Sequence, residues 1–381
     1  PAGGLVNLVT GVPATPTVTF PSTGTLIESA ANGTIGLGNL YIPLNFKNAY
    51  VSSWNMVVQQ ALPHDMSLQV AYVANHGTRI DVSQNINLPT TYGQSNLYDP
   101  LNHAADGVTP TFLKTASVTE YFLGFSTNYE SLQVQLTRRF THGLAFTSAF
   151  TWGKAQNYQT GAQDGALMFW SGNLRRNYNL ADFDRKRNWE QTVTYELPAG
   201  RGHHLFNSGV TSYVLGGWRV SAILSAVSGL PFNITTGSAT GGTTQTVNQI
   251  APFQVTHAVA GGTNAAVPWF NPASFTAPAG CAYVAGGPPC AVGNTQRNQF
   301  RGPAYFSDNL SLFKSFPIVG ESAVEARFDA FNMTNTPAFN LPNGSLGSNL
   351  GKITQTLGSG VGNVNGVGGP RVLQAAVRFV F

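Results

Sequence analysis

Charge is what this 381-residue chain has least of. Asp, Glu, Lys and Arg together make up 9% of it, against roughly a quarter in ordinary soluble domains. The hydrophobic share, 42%, is near normal, so glycine and uncharged polar residues stand where Lys and Glu would otherwise be. That profile suits a porin-like barrel with a half-apolar, half-uncharged wall, a secreted β-solenoid, or a low-complexity linker. The 24 Phe, 13 Tyr and 6 Trp argue against the linker, because disordered chains are poor in aromatics. Long apolar runs are missing too: no stretch of about 18 residues could cross a bilayer as a helix, whereas a tilted strand needs only about 9 to 11. Basic residues form no stripe interleaved with aromatics, so nucleic acid is not an expected partner.

Cysteine is almost absent. Cys281 and Cys290 flank the Gly-Pro-rich CAYVAGGPPC and are a candidate disulfide in an oxidising compartment, or else two free thiols. No His or third Cys lies near them to complete a tetrahedral metal set, and His203-His204 lacks further ligands. The Gly358–Gly369 run, GSGVGNVNGVGG, has no Lys-Ser/Thr and precedes a strand, so it reads as an external loop and not a phosphate cradle. Asp182 and Asp184 in DFDRKRN admit an acid–base pair, but beside Arg185, Lys186 and Arg187 they read better as a structural charge cluster at the top of a strand. No catalytic, cofactor-binding or metal-binding residues are expected, and no enzymatic activity. An initiating Met and a signal peptide are also lacking, so the chain is read as the C-terminal part of a longer protein, with residues 1–49 as an external loop or strand connection.

What is present is alternation. The terminal RVLQAAVRFVF puts Leu373, Ala375, Val377, Phe379 and Phe381 on one apolar face and Gln374 and Arg378 on the other, the period of a strand. The pattern runs to the final Phe, which predicts a strand paired up to its end. The same period recurs from 50 to 61, 66 to 74, 130 to 137, 144 to 152, 188 to 197, 218 to 228, 306 to 316 and 322 to 331. This gives about nine strands between 50 and 381. Short turns near 63, 140 and 318, and a medium one near 205, alternate with long polar, Gly-rich loops at 75–128, 154–187, 229–305 and 333–370. Short turns inside and long loops outside is the habit of outer-membrane barrels. A solenoid would need a fixed repeat, which the chain lacks, and a soluble sandwich rarely tolerates several such loops. The fold class expected is therefore all-β, the C-terminal part of an antiparallel transmembrane β-barrel with long external loops, in contact with the lipid bilayer.

The order of several stretches also resembles one family. WNMVVQQALPHDMSLQVAYVANHG, YESLQVQLTRRF, LADFDRKRN, TYELPAGRG, LGGWRVSAILSAVSGLPF, WFNPASFTAP, NQFRGPAYFSDNLSLFKSFPI, RFDAFNMTNTPAF and the terminal strand look like the barrel region of Oar-like TonB-dependent outer-membrane receptors, over about residues 40 to 381. The resemblance implies a 22-stranded barrel, with a plug, a TonB-contact segment and often a carboxypeptidase-regulatory-like domain encoded upstream. It further implies the outer membrane of a Gram-negative-type bacterium, uptake of a large or scarce solute, and the TonB complex as partner. It also implies that Leu373, Ala375, Val377, Phe379 and Phe381 form the signal read by the barrel-assembly machinery. A non-transporting adhesin or structural surface barrel is the alternative function.

Within a barrel, Glu325, Arg327, Asp329 and Arg378 fall on the lumen side of their strands. There they form a self-compensating network or contact a plug or solute. Trp54, Trp152, Trp189 and Trp218, near strand ends, are expected in the aromatic girdle at the membrane interfaces. Tyr92, Tyr98, Tyr158 and Trp269 are loop aromatics that could serve as ligand platforms.

Overall fold

A computed structural model describes residues 39–41, 47–85, 118–159, 171–200, 205–239, 243–257, 267–279, 292–318, 322–357 and 368–381. Cys281, Cys290, His203, His204, Tyr92 and Tyr98 lie outside the described residues.

Nine long strands form one antiparallel sheet in chain order: β1 (Tyr50–Leu62), β2 (Met66–Asn85), β3 (Val118–Thr141), β4 (Leu144–Asn157), β5 (Arg187–Glu196), β6 (Trp218–Val227), β7 (Tyr305–Pro317), β8 (Ala323–Phe331) and β9 (Val372–Val380). Each pairs with its chain neighbours, so the sheet is an up-and-down meander. Among the described residues it stays open, with β1 and β9 at its edges. Two short pieces join it: Asn39–Tyr41 runs parallel to the start of β3, and Asn179–Leu180 pairs with the end of β4.

The register sorts the residues by chemistry. One cross-strand row reads Val58, Val70, Val134, Phe150, Trp189, Ala226, Phe306; the next, one residue along, reads Gln59, Gln69, Gln135, Ala149, Glu190, Ser225, Ser307. Successive side chains point to opposite faces, so the sheet has one apolar and one polar face. The apolar face is uncovered: Met56, Val58, Val377 and Phe379 are each more than half exposed. An apolar surface that runs across every strand is what a sheet presents to lipid, since a soluble protein would have to cover it.

On β7 two charges sit on the apolar side, and both are capped by neighbouring groups. Asp308 of β7 accepts from the Thr334 hydroxyl (3.0 Å) and the Thr334 amide (3.1 Å) in the turn after β8. Lys314 of β7 lies under a short helix, α1 (Gly209–Leu215), in the β5–β6 connection. Its ammonium donates to the carbonyls of Tyr213 (2.7 Å) and Gly216 and sits over the rings of Trp218 and Phe316. The orphan carbonyls of a helix C-terminus suit a cation, so the lysine is neutralised without a carboxylate.

The short turns are built for tightness. Between β3 and β4, His142 and Gly143 both take left-handed backbone, φ 49° and 77°, as a two-residue hairpin of this hand requires. A Cβ on Gly143 would lie 2.7 Å from the Glu196 carbonyl of the neighbouring strand.

Three boundaries differ from the sequence-based expectation. β2 and β3 continue to 85 and back to 118, into the span expected as a loop at 75–128. Residues such as HGTRIDVSQN lose the apolar alternation because that part of the hairpin needs no lipid-facing side, yet its ladder persists, broken only at a bulge around Arg79. The terminal strand ends at Val380; Phe381 lies beyond it, 95% exposed, its ring 6.1 Å from that of Phe379.

The third difference is larger. The spans 229–305 and 333–370, expected as polar loops, contain a packed apolar core of Phe232, Ile234, Val247, Trp269, Phe270, Phe275, Phe300, Leu350 and Ile353. Phe253 packs against this core, its ring 4.9 Å from Phe300 and 5.2 Å from Phe270. The apolar residues arrive singly or in pairs between Gly, Pro, Asn and Thr, with neither helical nor strand period, and so escape a search for periodicity.

Candidate functional site

Two polar assemblies stand out, one on the polar face of β5–β9 and one where the aromatic core of the long connections meets the sheet.

On the polar face, Arg378 of β9 donates to Glu325 of β8 at 2.5 Å, across a direct register pair. Arg327 donates to Asp329 at 2.8 Å, and Ser311 of β7 donates to the same carboxylate at 2.5 Å. The structure thus brings the four charges expected on this face into two ion pairs. Sequence reasoning missed their companion, Phe313. This aromatic stands on the polar face between two cations, with Arg219 4.5 Å and Arg327 5.0 Å from its ring centre. Nothing in the local pattern of FSDNLSLFKSF marks Phe313 as a residue of the polar face. Arg219 also approaches Glu196 at 3.8 Å. The row is a charge-compensated strip with one apolar plate, able to hold polar solute groups or a second protein surface by hydrogen bonds.

The DFDRKRN cluster is divided by the fold. Asp184, buried, accepts from the Ala155 amide at 2.6 Å and pairs with Arg301. Asp182 accepts from Arg297 at 3.2 Å and from Asn298 at 2.6 Å. Arg185 donates to the Ser228 carbonyl at 2.6 Å and lies over the Tyr305 ring; burial lowers its pKa, with the Tyr305 hydroxyl opposing. Each carboxylate is held by its own arginine, an arrangement that fixes chain segments. Lys186 and Arg187 turn outward and are exposed.

Arg297 is the centre of the second assembly and was not singled out by the sequence. Fully buried, it donates through Nε to the Asn177 carbonyl (2.8 Å), through Nη1 to the Gln159 carbonyl (2.7 Å) and Asp182, and through Nη2 to the Asn157 carbonyl (2.6 Å) and side chain (2.5 Å) and the Asn179 carbonyl (3.2 Å). Burial lowers its pKa and Asp182 opposes that; an arginine stays protonated regardless. A planar fork of five N–H groups is the side chain that can satisfy so many convergent carbonyls. Arg176 reinforces the junction through the carbonyls of Gly293 (2.5 Å) and Thr295 (2.8 Å).

Of the tryptophans, Trp54, Trp152 and Trp189 lie on the apolar face toward the end with long connections. Trp218 begins β6 at the end with short turns, where its indole donates to the Val214 carbonyl of α1 at 2.9 Å. Trp269 is buried in the aromatic core of the long connections and offers no platform. Tyr158 packs at 4.8 Å against Phe125 and 4.9 Å against Tyr178. Among the described residues no cluster of three or more His, Cys, Asp or Glu is placed to hold a metal ion, and no helix is long and apolar enough to cross a membrane.

A meander with an uncovered apolar face, a polar reverse, short turns at one end and a folded mass at the other defines a membrane-spanning β-wall. The chain belongs to the outer membrane beta barrel domain family, whose model matches residues 3–374, and its place is the outer membrane. Solved structures with similarity include the outer membrane transporter YddB from Escherichia coli (TM-score 0.44, 8% identity, 89% of this chain and 34% of that one), the FrpB iron transporter from Neisseria meningitidis (0.40, 9%, 90% and 33%) and the siderophore receptor PiuA from Acinetobacter baumannii (0.39, 9%, 87% and 28%). The chain spans about a third of the length of these structures. No curated protein matches it.

Proposed function

We propose that this chain is the C-terminal wall and external part of a TonB-dependent receptor of the Oar-like type, which takes up a large or scarce solute across the outer membrane. The polar face of β5–β9 is the observation that carries the reading. Its strip of Arg219, Phe313, Glu325, Arg327, Asp329 and Arg378 is a compensated lumen wall suited to contacts with a plug or a passing solute. The apolar face meets lipid, the short turns lie in the periplasm, and the external core and long connections face the cell exterior, as strand parity and turn length require of such barrels. The missing strands, plug and TonB-contact segment belong to the remainder of the protein. Leu373, Ala375, Val377, Phe379 and Phe381 act as the assembly signal, and Trp54, Trp152, Trp189 and Trp218 form the interfacial girdle. The reaction is binding and translocation, with no covalent chemistry.

Arg327→Gln in the full-length protein removes a partly exposed charge that pairs with Asp329 and stacks on Phe313. Uptake is expected to fall roughly fivefold, the scale of a solvent-screened ion pair, while the variant still folds into a heat-modifiable barrel. Unchanged uptake by a correctly inserted variant would count against a transport role for this strip. The adhesin reading separates cleanly: deleting TonB abolishes uptake by a receptor and leaves adhesion untouched.

A further inference from the structure

We infer that the exterior end of β4 and β5 is a binding site for a phosphorylated lipid of the outer leaflet, held by Lys154, Lys186 and Arg187 above an aromatic-lined apolar track. Three observations converge on it.

The first is unspent charge. The side chains of Lys154, Lys186 and Arg187 make no hydrogen bond or ion pair among the described residues, and all three are exposed. They are also neighbours: the Gly153 amide donates to the Lys186 carbonyl at 3.1 Å, and Arg187 is the register partner of Trp152. One carboxylate stands near, Glu130, which is opposite Lys154 in the register without forming an ion pair with it. Arg301 is already committed to Asp184. The group therefore keeps a net charge of about two, and like charges gathered without a counter-ion call for an anion.

The second is position on the membrane normal. Lys154 and Arg187 belong to the apolar face, the side that meets lipid. From the turn before Leu144 to Lys154 is ten residues, which at about 3.3 Å rise and about 45° tilt puts the ammonium about 23 Å above the inner end of the strand, at the top of an apolar band about 25 Å tall. Phosphate groups of outer-leaflet lipids lie at that height.

The third is shape. A cleft of about 510 Å³ joins two of these cations to apolar surface, lined by Lys154, Lys186, Glu130 and Arg301 together with Tyr72, Leu132 and Trp152; Arg187 stands beside it as the register partner of Trp152. Trp152 is 54% exposed, Tyr72 43% and Leu132 39%, and they lead directly down into the lipid-facing rows. A ligand with a phosphate at the top and acyl chains below fits both halves; a free phosphate would leave the apolar half empty.

This inference rests on the orientation proposed above, and an epitope inserted between Gly362 and Asn363, read by antibody on intact cells, tests that orientation independently. For the site itself, the full-length protein is extracted in mild detergent, and its binding of purified bis-phosphorylated lipid A is compared with that of dephosphorylated lipid A, an anionic glycerophospholipid and inorganic phosphate. Wild type is expected to prefer the bis-phosphorylated form. The triple variant Lys154→Gln, Lys186→Gln, Arg187→Gln should bind it about a hundredfold more weakly, at about fivefold per cation near a charged lipid surface, with heat-modifiable migration unchanged. Trp152→Ala should weaken binding of the lipid but not of phosphate. Equal affinity for phosphorylated and dephosphorylated lipid, or equal affinity of variant and wild type, overturns the site. Phosphate alone binding as tightly as the lipid overturns the lipid as ligand.

Discussion

Arg297→Met is expected to melt the external core while leaving the transmembrane sheet assembled. The substitution keeps much of the apolar stem but strips the donors from the carbonyls of Asn157, Gln159, Asn177 and Asn179, which are held at 2.6–3.2 Å by one buried guanidinium. Removing one partner of a buried charged network costs about 3–5 kcal/mol, more than a small irregular unit can spare. Arg297→Lys restores the charge but offers three donors from a single point, and it is expected to recover only part of the loss. Limited proteolysis of the assembled protein reads this out: cleavage within 229–305 should accelerate in both variants, most in Met, while the heat-modifiable barrel persists. Cleavage at the wild-type rate in Arg297→Met would show that the network does not hold the unit.

The second large effect is a contrast on adjacent residues of β9. Val377 lies on the apolar face, 76% exposed, and Ala376 on the polar face opposite Arg327. An arginine facing lipid near the bilayer midplane costs about 2–4 kcal/mol, whereas a lumen-facing one is tolerated. Val377→Arg is therefore expected to block insertion and Ala376→Arg to reduce it little, the added charge lying near Glu325 and Asp329. Equal yields of folded protein in a membrane-insertion assay would mean that the two faces are wrongly assigned.

The nine strands were legible because lipid and lumen impose a strict period of two, and wherever that demand holds, from Tyr50 to Leu62 or Leu144 to Trp152, the sequence announces the strand. Above the membrane band the demand lapses. There β2 and β3 go on pairing through residues such as Thr78 and Asn128 without any pattern that marks them. The external core was illegible for a related reason. Its members, from Phe232 to Ile353, are gathered by loop geometry over more than a hundred residues, and no local period records such contacts. The charges of β8 and β9 were readable as a set because they alternate on two paired strands. Phe313 was not, since its place on the polar face makes sense only once Arg219 and Arg327 flank it. In the DFDRKRN cluster, local spacing suggests one structural role for all five charged residues, whereas the fold commits Asp182, Asp184 and Arg185 to internal bonds and leaves Lys186 and Arg187 at the surface.

The short β-ladder at Pro231–Phe232 and Phe300–Arg301 brings two backbones together beside Gly229 and Gly302, and a Cβ on Gly229 would fall 1.9 Å from the Gly302 carbonyl. The same junction is crossed by Arg297, Arg301 and Asn298, which reach back to the ends of β4 and to the segment before β5. Mechanically, the external unit is then a rigid extension of the wall and not a flap on a hinge. A load on β4 or β5 is transmitted into it through these bonds, so it tilts with these strands.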